Sequence, residues 1–230
     1  MRSEFKYLVP FFVKKKLEYD LKIFCNTDNN ANILGISKIN SIYFDSINKY
    51  NFNSKENGIY IRSKPRLRFY LDEKEKKIIR SVFEFKNRIW DKGFKNRYVI
   101  NNFDNKEYSL DYYIKQLPNN FKCKLNEVNY NPILSLGYQR LALTDKFNTD
   151  NRFTLDDSIY VSESFNPLKI HSRIKIFNNQ DGILEFKFLK MVPQWFKVIL
   201  KKYNLKQIAI SKYSLGIYKL VQTSSINGLK

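Results

Sequence analysis

The chain of 230 residues is 43% hydrophobic and 16% aromatic, which is enough apolar material for one large domain or two small ones. Its 41 Lys and Arg residues outnumber 22 Asp and Glu residues, and the formal net charge of +19 favours an anionic partner or surface. No apolar run is long enough to span a membrane, no apolar secretory signal opens the chain, and two cysteines are too few for a disulfide framework. We therefore expect a cytoplasmic protein with reduced cysteines.

Arginine positions carry more of the charge argument than lysine positions. The sequence is rich in Lys, Asn, Ile and Tyr, a bias that an AT-rich genome also produces without selection for charge. The arginine guanidinium, in contrast, presents a rigid fork of donors that matches phosphate oxygens. Arginines therefore weigh more than lysines as indicators of an anionic partner.

The first half of the chain predicts strands around one amphipathic helix. Strands are indicated by β-branched and aromatic residues or by alternating apolar and charged residues, and the helix by apolar residues at helical spacing. In chain order these elements are a strand at 4–9, a helix at 11–25, strands at 36–46 and 59–70, a loop at 72–79, and a hairpin of strands at 80–90 and 94–100. Pro65 lacks an amide hydrogen, which favours a sheet edge or a bulge at that point.

The second half predicts more strands and ends in helices. A polar, partly helical insertion at 101–131 precedes strands at 132–143, 151–159, 171–177 and 183–190, helices at 193–205 and 210–221, and a frayed tail at 222–230. At least eight strands, mostly antiparallel by their connections, indicate an α+β fold that is mainly antiparallel β. A closed barrel and a sandwich both fit this count.

Charged residues recur on one face of nearly every predicted strand, while the opposite face is strongly apolar. The same-face sets are Glu4 with Lys6, Arg66 with Arg68, Glu84 with Lys86, Lys95 with Arg97, Tyr138 with Arg140, Arg152 with Asp156, and Glu185 with Lys187. In any one strand this alternation fits an ordinary sheet with its charges in water. Its repetition favours a closed barrel with helices packed outside and a polar, cationic lumen. Phosphates would offset the repulsion in such a lumen, and its few carboxylates suit Mg²⁺ or Mn²⁺.

Short motifs occur in a fixed order along the chain. They are "EFKY" (4–7), "SIYFD" (41–45), "RLRFY" (66–70), "FEFK" (83–86) with "FKNR" (94–97), "YQR" (138–140), "RFTLD" (152–156), "LEFK" (184–187) and "SKYSLG" (211–216). Together they resemble the VTC domain, the catalytic tunnel domain of the vacuolar transporter chaperone polyphosphate polymerases and their bacterial relatives. That domain belongs to the triphosphate tunnel metalloenzyme superfamily, and the resemblance runs from about residue 2 to residue 219.

The resemblance implies a single catalytic domain at 1–221, built as an eight-stranded antiparallel tunnel. In that tunnel the γ-phosphate of ATP is transferred to a growing inorganic polyphosphate chain. The positions that match the catalytic cations of the family are Lys6, Arg66, Arg68, Lys86, Arg140 and Arg152, and further phosphate contacts match Lys95, Tyr138, Lys187 and Lys212. Glu185 matches the metal-binding glutamate, with Mn²⁺ or Mg²⁺ as the cofactor. The implied partners are ATP and polyphosphate, without nucleic acid, and a membrane only through an unknown partner protein.

Two positions depart from the family pattern. Arg2 stands where the wider superfamily carries the first glutamate of its N-terminal signature, which moves the chain away from the triphosphatase and cyclase branches. Ala209 stands where the polymerases often carry a further lysine, and Lys206 could substitute for it. Two other functions stay open: a metal-dependent triphosphatase of the same superfamily, and a non-catalytic module that binds polyphosphate or nucleic acid.

For the remaining polar and aromatic residues we expect structural roles. His171 is expected to form a structural hydrogen bond, and Trp90 and Trp195 to be packing residues. Lys14 to Lys16 are expected on the solvated side of the first helix, with guidance of ATP to a tunnel mouth as the alternative, and Arg62 and Lys64 are expected at a tunnel rim. Asp156 is expected to pair with Arg152, and Glu4 and Glu84 to form ion pairs, with metal binding as the alternative for all three carboxylates. Ion pairing is the more frequent role of such charges in a folded protein.

Overall fold

The computed structural model describes residues 3–28, 35–72, 77–90, 92–100, 108–168 and 173–227. The predictions for Arg2 and His171 lie outside these residues. So do parts of the predicted loop at 72–79, the turn that follows residue 90, the insertion at 101–131, the strand at 171–177 and the tail at 222–230.

Ten strands and six helices lie in the described residues. In chain order they are β1 (Ser3–Val9), α1 (Phe11–Phe24), β2 (Cys25–Thr27), β3 (Ile36–Asp45), α2 (Tyr50–Glu56), β4 (Ile61–Asp72), β5 (Lys77–Ile89), β6 (Lys92–Ile100), α3 (Leu110–Lys115), α4 (Asn119–Glu127), β7 (Asn131–Asp145), β8 (Arg152–Ser162), β9 (Ile174–Lys175), β10 (Gly182–Phe188), α5 (Gln194–Lys202) and α6 (Lys212–Asn227). The pairings β1–β10, β10–β8, β2–β7, β4–β5 and β5–β6 are all antiparallel. The predicted α+β class with a mainly antiparallel sheet is confirmed.

The chain divides into two compact units. The first unit comprises residues 1–38, 138–160 and 175–211, and the second comprises residues 39–137, 161–174 and 212–230. In the first unit the strand order is β1-β10-β8-β7, with β2 beside β7 and β9 beside β8; in the second unit the order is β7-β3-β4-β5-β6. Among the described strands, hydrogen bonds do not close this strand order into a ring. The closed barrel and the single domain therefore stay predictions.

The core of the first unit lies between the sheet and two helices. Leu17 and Leu21 of α1 and Phe196 of α5 are fully buried against the apolar faces of β8 and β10. There the rings of Phe153 and Phe186 stack with their centroids 4.5 Å apart. Because strand residues alternate between faces, this packing leaves the charged residues of the same strands on the opposite side of the sheet.

The second unit repeats this arrangement with different helices. Phe69 of β4 and Phe83 of β5 are fully buried in a core that also contains Tyr113 of α3 and Phe121 of α4. The predicted bulge at Pro65 is wrong in position. Pro65 lies opposite Phe85 in an unbroken register, and the register shifts between Tyr70 and Leu71 instead. β4 also lies between β3 and β5 in the strand order, rather than at the sheet edge.

Several element boundaries differ from the predicted ones. α6 continues to Asn227, beyond the predicted end at residue 221, and the described part of the predicted strand at 171–177 contains only β9, two residues long. The insertion at 101–131 contains α3 and α4, as its partly helical pattern indicates. Of the helices in the described residues, none combines the length and the apolar content needed to cross a bilayer.

Candidate functional site

The first-unit charged face is the polar side of β1, β10, β8 and β7. Antiparallel pairing places Lys6 opposite Glu185 and Glu4 opposite Lys187. The Lys6 ammonium lies 3.0 Å from a carboxylate oxygen of Glu4 and donates a hydrogen bond of 3.1 Å to the carbonyl of Ile210. The Lys187 ammonium pairs with Glu185 and lies 3.7 Å from the other oxygen of Glu4. Carboxylates and ammonium groups thus alternate on this face, and Glu4 is in an ion pair as predicted.

A bidentate pair with the buried carboxylate of Asp156 fixes Arg140 on the same face. Arg140 Nε and Nη2 donate to the two carboxylate oxygens of Asp156 at 2.6 and 2.7 Å, and its guanidinium lies 5.2 Å from the ring centre of Tyr138. Burial alone would lower the pKa of Arg140, but Asp156, Tyr138 and Glu185 raise it well above its usual value. The guanidinium therefore stays charged, and its other donors hold a fixed direction.

The predicted pair between Asp156 and Arg152 is wrong. Arg152 instead donates to the carboxylate of Asp28, and Asp156 pairs with Arg140 of the neighbouring strand. Residues four apart on a strand share a face but are separated by about 13 Å, too far for their side chains to pair. The correct partners come from adjacent strands or from a loop.

The second-unit charged face is the polar side of β4, β5 and β6. One row across these strands consists of Arg66, Glu84 and Arg97, which lie opposite one another in the sheet register. Glu84 is 2% exposed, pairs with Arg66, and forms a second ion pair with Arg97, whose Nε lies 3.3 Å from its carboxylate, which confirms its predicted ion pairing. Burial alone would raise the pKa of Glu84, but Arg66, Arg68, Lys95 and Arg97 lower it to about 2.

The next rows on this face place like charges opposite one another. Lys64, Lys86 and Lys95 form a row across β4, β5 and β6, and Arg62 lies opposite Arg88 in the row beyond. Like charges at directly opposed positions of a sheet repel and destabilise it. A bound anion would offset the repulsion between these directly opposed cations.

A hydrogen-bonded group at Tyr43 supports the arginines of this face. Arg66 donates to the Tyr43 hydroxyl at 3.1 Å, and the Tyr43 ring stacks on Tyr213 with a centroid distance of 5.3 Å. The Tyr213 hydroxyl donates to Asp45 at 2.6 Å, and Asp45 also accepts from backbone amides at the start of α2. Burial alone would raise the pKa of Tyr43, but Arg66, Arg68 and Lys212 lower it. Tyr43 and Asp45 lie in the "SIYFD" motif, yet the strand pattern assigned them no role.

Comparison with known protein families identifies the family to which this chain belongs. The sequence model of the VTC domain matches residues 1–221 of the chain. The chain belongs to the VTC domain family. This confirms the resemblance inferred from the ordered motifs, although the curated proteins include no match to the chain.

Two solved structures are similar to this VTC domain. The PH1819 protein of Pyrococcus horikoshii OT3 is 11% identical with a TM-score of 0.52, and the match covers 97% of this chain and 99% of that one. The putative adenylyl cyclase HpAC1 of Hippeastrum, a protein with a dominant triphosphatase activity, is 14% identical with a TM-score of 0.51, over 95% and 96% of the two chains. At these identities the likeness shows the fold alone.

The predicted site residues of the VTC domain gather on the two charged faces. Those of the first-unit charged face are Lys6, Tyr138, Arg140, Arg152, Glu185 and Lys187, and those of the second are Arg66, Arg68, Lys86 and Lys95. Lys212 begins α6 and acts electrostatically on Tyr43. The predicted solvated position on α1 is confirmed for Lys15 and Lys16, which are exposed, but not for Lys14, which is half-buried with its ammonium 2.7 Å from Asp157.

The carboxylates of the first-unit charged face suit a metal that is shared with substrate. Within the part of the chain that the structure describes, no three Asp, Glu, His or Cys residues lie close enough to hold a metal ion alone. Glu185 and Glu4 are nevertheless neighbours, since Lys187 contacts both of them. Mg²⁺ is commonly bound by one or two carboxylates together with phosphate oxygens and water. Glu185 and Glu4 fit such a metal only when phosphate is present.

Proposed function

We propose that this VTC domain is an ATP-dependent polyphosphate polymerase that works with a divalent metal in a closed barrel with a cationic lumen. The proposal rests mainly on the cations that the registers of β4, β5 and β6 gather on one face, where the row of Lys64, Lys86 and Lys95 lies next to Arg66. Membership of the VTC domain family supports polyphosphate as that polyanion.

The residues suit phosphoryl transfer without a protein nucleophile. An oxygen of the terminal phosphate of the polyphosphate attacks the γ-phosphorus of ATP. The bond between the γ-phosphorus and the oxygen that bridges it to the β-phosphate then breaks, and ADP is released. The transition state is loose and spreads negative charge over the phosphoryl oxygens, so positioned cations accelerate the step. Arg140 is fixed by Asp156, and Arg66 is fixed by Glu84 and Tyr43, so both guanidinium groups are oriented before substrate binds.

The carboxylates complete this arrangement. Glu185 and Glu4 would hold the divalent metal, which when bound supplies further neutralisation of phosphate oxygens. Lys187 contacts both carboxylates and limits their repulsion before metal and substrate arrive. Lys6 bridges Glu4 and the carbonyl of Ile210, which positions its ammonium on the same face.

The polymerase proposal is tested by incubating the chain with ATP and Mn²⁺ or Mg²⁺. We expect a ladder of long polyphosphate on a gel and one ADP for each phosphate incorporated. The Glu185→Ala variant should lose turnover but still bind inorganic triphosphate, whereas Lys201→Ala, on the exposed last turn of α5, should behave like the parent. Release of orthophosphate without any polymer would contradict the proposal.

A triphosphatase is the second candidate. HpAC1, which shares the fold, has a dominant triphosphatase activity. For this function the same cations would bind the triphosphate, and water would replace the polyphosphate chain as the nucleophile. Orthophosphate release from inorganic triphosphate, abolished by Glu185→Ala, would favour it over the polymerase. If neither polymer nor orthophosphate forms and every variant binds anions as the parent does, the chain is a non-catalytic binding module.

A further inference from the structure

A cavity at the end of the β4–β5 pair is not explained by phosphate binding alone. It measures about 380 Å³ and is lined by Gly58, Tyr60, Arg62, Arg88 and Trp90. The rings of Tyr60 and Trp90 stack with their centroids 4.4 Å apart and their planes at 23°. Trp90, expected from the sequence to be a packing residue, is 61% exposed, and Tyr60 is 59% exposed. Two large aromatic side chains therefore stack on each other while facing solvent.

The backbone holds this aromatic pair in place. The Trp90 amide donates to the Tyr60 carbonyl at 3.0 Å, and Arg88 Nε donates to the Trp90 carbonyl at 2.8 Å. Trp90 has a φ of +56°, in the left-handed region that is uncommon for a bulky residue. Trp90 is the first residue of the tight turn between β5 and β6, where hairpins require a positive φ, and this turn places its exposed ring beside Tyr60 at the end of the strand pair.

The cavity is also cationic. Arg62 lies directly opposite Arg88 in the β4–β5 register. In the described part of the chain, neither guanidinium has a carboxylate within ion-pairing distance. Burial and the neighbouring Arg88 lower the pKa of Arg62, as expected for a cation that lacks a counter-charge. An anion between the two guanidinium groups would relieve this repulsion.

The cavity continues into the lysine row. Lys64, Lys86 and Lys95 form the next row on the same face, about 7 Å further along the strands. An aromatic surface, a pair of arginines and a row of lysines thus follow one another. A molecule with an aromatic ring at one end and several phosphates at the other matches this order.

We propose that the Tyr60–Trp90 cavity binds the base of a nucleoside triphosphate, with Arg62 and Arg88 on the adjoining phosphates. This inference rests on the proposed function, because it names the nucleotide end of the substrate on the same charged face. Bases stack on aromatic side chains irrespective of sequence, and arginine binds phosphate through its planar fork. Inorganic triphosphate has no ring and gains nothing from the aromatic pair.

Tryptophan fluorescence reports directly on this cavity. The chain has two tryptophans, and the Trp195→Phe variant leaves Trp90 as the single one. We expect ATP to quench the Trp90 emission, and inorganic triphosphate at a saturating concentration to leave it unchanged. Emission that stays constant while calorimetry shows ATP bound would overturn the inference. Quenching by a short single-stranded DNA at far lower concentration than ATP would also overturn it, in favour of nucleic acid.

Affinity measurements on variants give an independent result. Tyr60→Ala and Trp90→Asn, the latter because Asn tolerates the left-handed conformation, should weaken ATP binding about 10-fold or more and change triphosphate binding less than about 2-fold. Phe147→Ala removes another exposed aromatic side chain and should change neither. Equal weakening for both ligands, or no weakening for either, contradicts the inference. If ATP is converted to polymer but does not quench Trp90, the base-binding inference is wrong and the proposed function stands. If ATP quenches Trp90 but no polymer forms, only the proposed function is wrong.

Discussion

The two charged faces contain similar residues but pair them differently. On the first-unit charged face, Lys6 lies opposite Glu185, Glu4 lies opposite Lys187, and Arg140 is fixed by a buried aspartate. On the second, one buried carboxylate, Glu84, serves two arginines, and the rows beyond it oppose like charges. The same alternation of charged and apolar residues therefore produces two electrostatic environments, because the register decides which charges meet.

This difference indicates that the first-unit charged face orients bound groups, whereas the second-unit charged face attracts anions. Ion pairs of opposite sign offset their own charges and hold side chains in fixed positions, so the first-unit charged face is suited to orienting groups. Rows of like charge are costly without a ligand and become favourable when an anion binds. The comparison therefore predicts that removing one member of an ion pair lowers stability on either face, and that neutralising a cation of the lysine row on the second face raises it.

Removing Asp156 should cause the largest loss of stability. Asp156 is fully buried, and without it the guanidinium of Arg140, whose side chain is only 18% exposed, would lose its counter-charge. We expect Asp156→Ala to lower the free energy of unfolding by about 3–5 kcal/mol, measured by urea denaturation. Asp20→Ala, which breaks the surface pair with Lys202, should cost less than about 1 kcal/mol.

A double variant separates lost charge pairing from lost packing. Replacing both partners by apolar residues, as in Arg140→Met with Asp156→Leu, should recover much of the stability, because no unpaired charge then remains. A loss below about 1 kcal/mol for Asp156→Ala would show that Arg140 finds solvent or another partner. Pairing with Asp156 would then not be what stabilises Arg140 on the first-unit charged face.

Glu84 should give the next largest effect, and one that depends on pH. Its pKa is about 2 in the folded chain against an ordinary 4.5, so its ionised form contributes stability above pH 4.5, and this contribution is lost as pH falls toward 2. At pH 7 we expect Glu84→Gln to be less stable than the parent by at most about 3 kcal/mol. The difference should disappear between pH 4.5 and 2 in denaturation curves measured across that range. A difference that stays constant over this range would contradict the assignment.

Strand faces could be predicted from the sequence because their period of two is strict. The alternation of Arg66 and Arg68 with Leu67 and Phe69 correctly separated the charged side of β4 from its buried side. The partner of Asp156 could not be predicted in this way, since it depends on how neighbouring strands align. The α6 helix was predicted too short, because its last turns are polar and carry no apolar stripe.

Contacts between residues that are distant in the sequence also could not be predicted from local patterns. Tyr213 and Asp45 are 168 residues apart, and their hydrogen bond links α6 to the end of β3. The Tyr60–Trp90 cavity depends on the left-handed conformation at Trp90, which no local signal specifies for a tryptophan. The family could be identified from the sequence because each short motif marks one strand or helix, and the motifs follow one another in the order that is typical of the family.

The smallest effect should come from neutralising one cation of the lysine row, and it should have the opposite sign to the others. Lys86 lies between Lys64 and Lys95, so Lys86→Met should stabilise the ligand-free protein by about 0.2–1 kcal/mol. The same variant should bind inorganic triphosphate about 10-fold more weakly, and salt should stabilise it less than it stabilises the parent, because less repulsion remains to be screened. Lys187→Met is the matched control, since Lys187 bridges two carboxylates and its loss should lower stability. If both variants lose stability alike, the lysine row does not repel itself, and the two charged faces do not differ as their registers indicate.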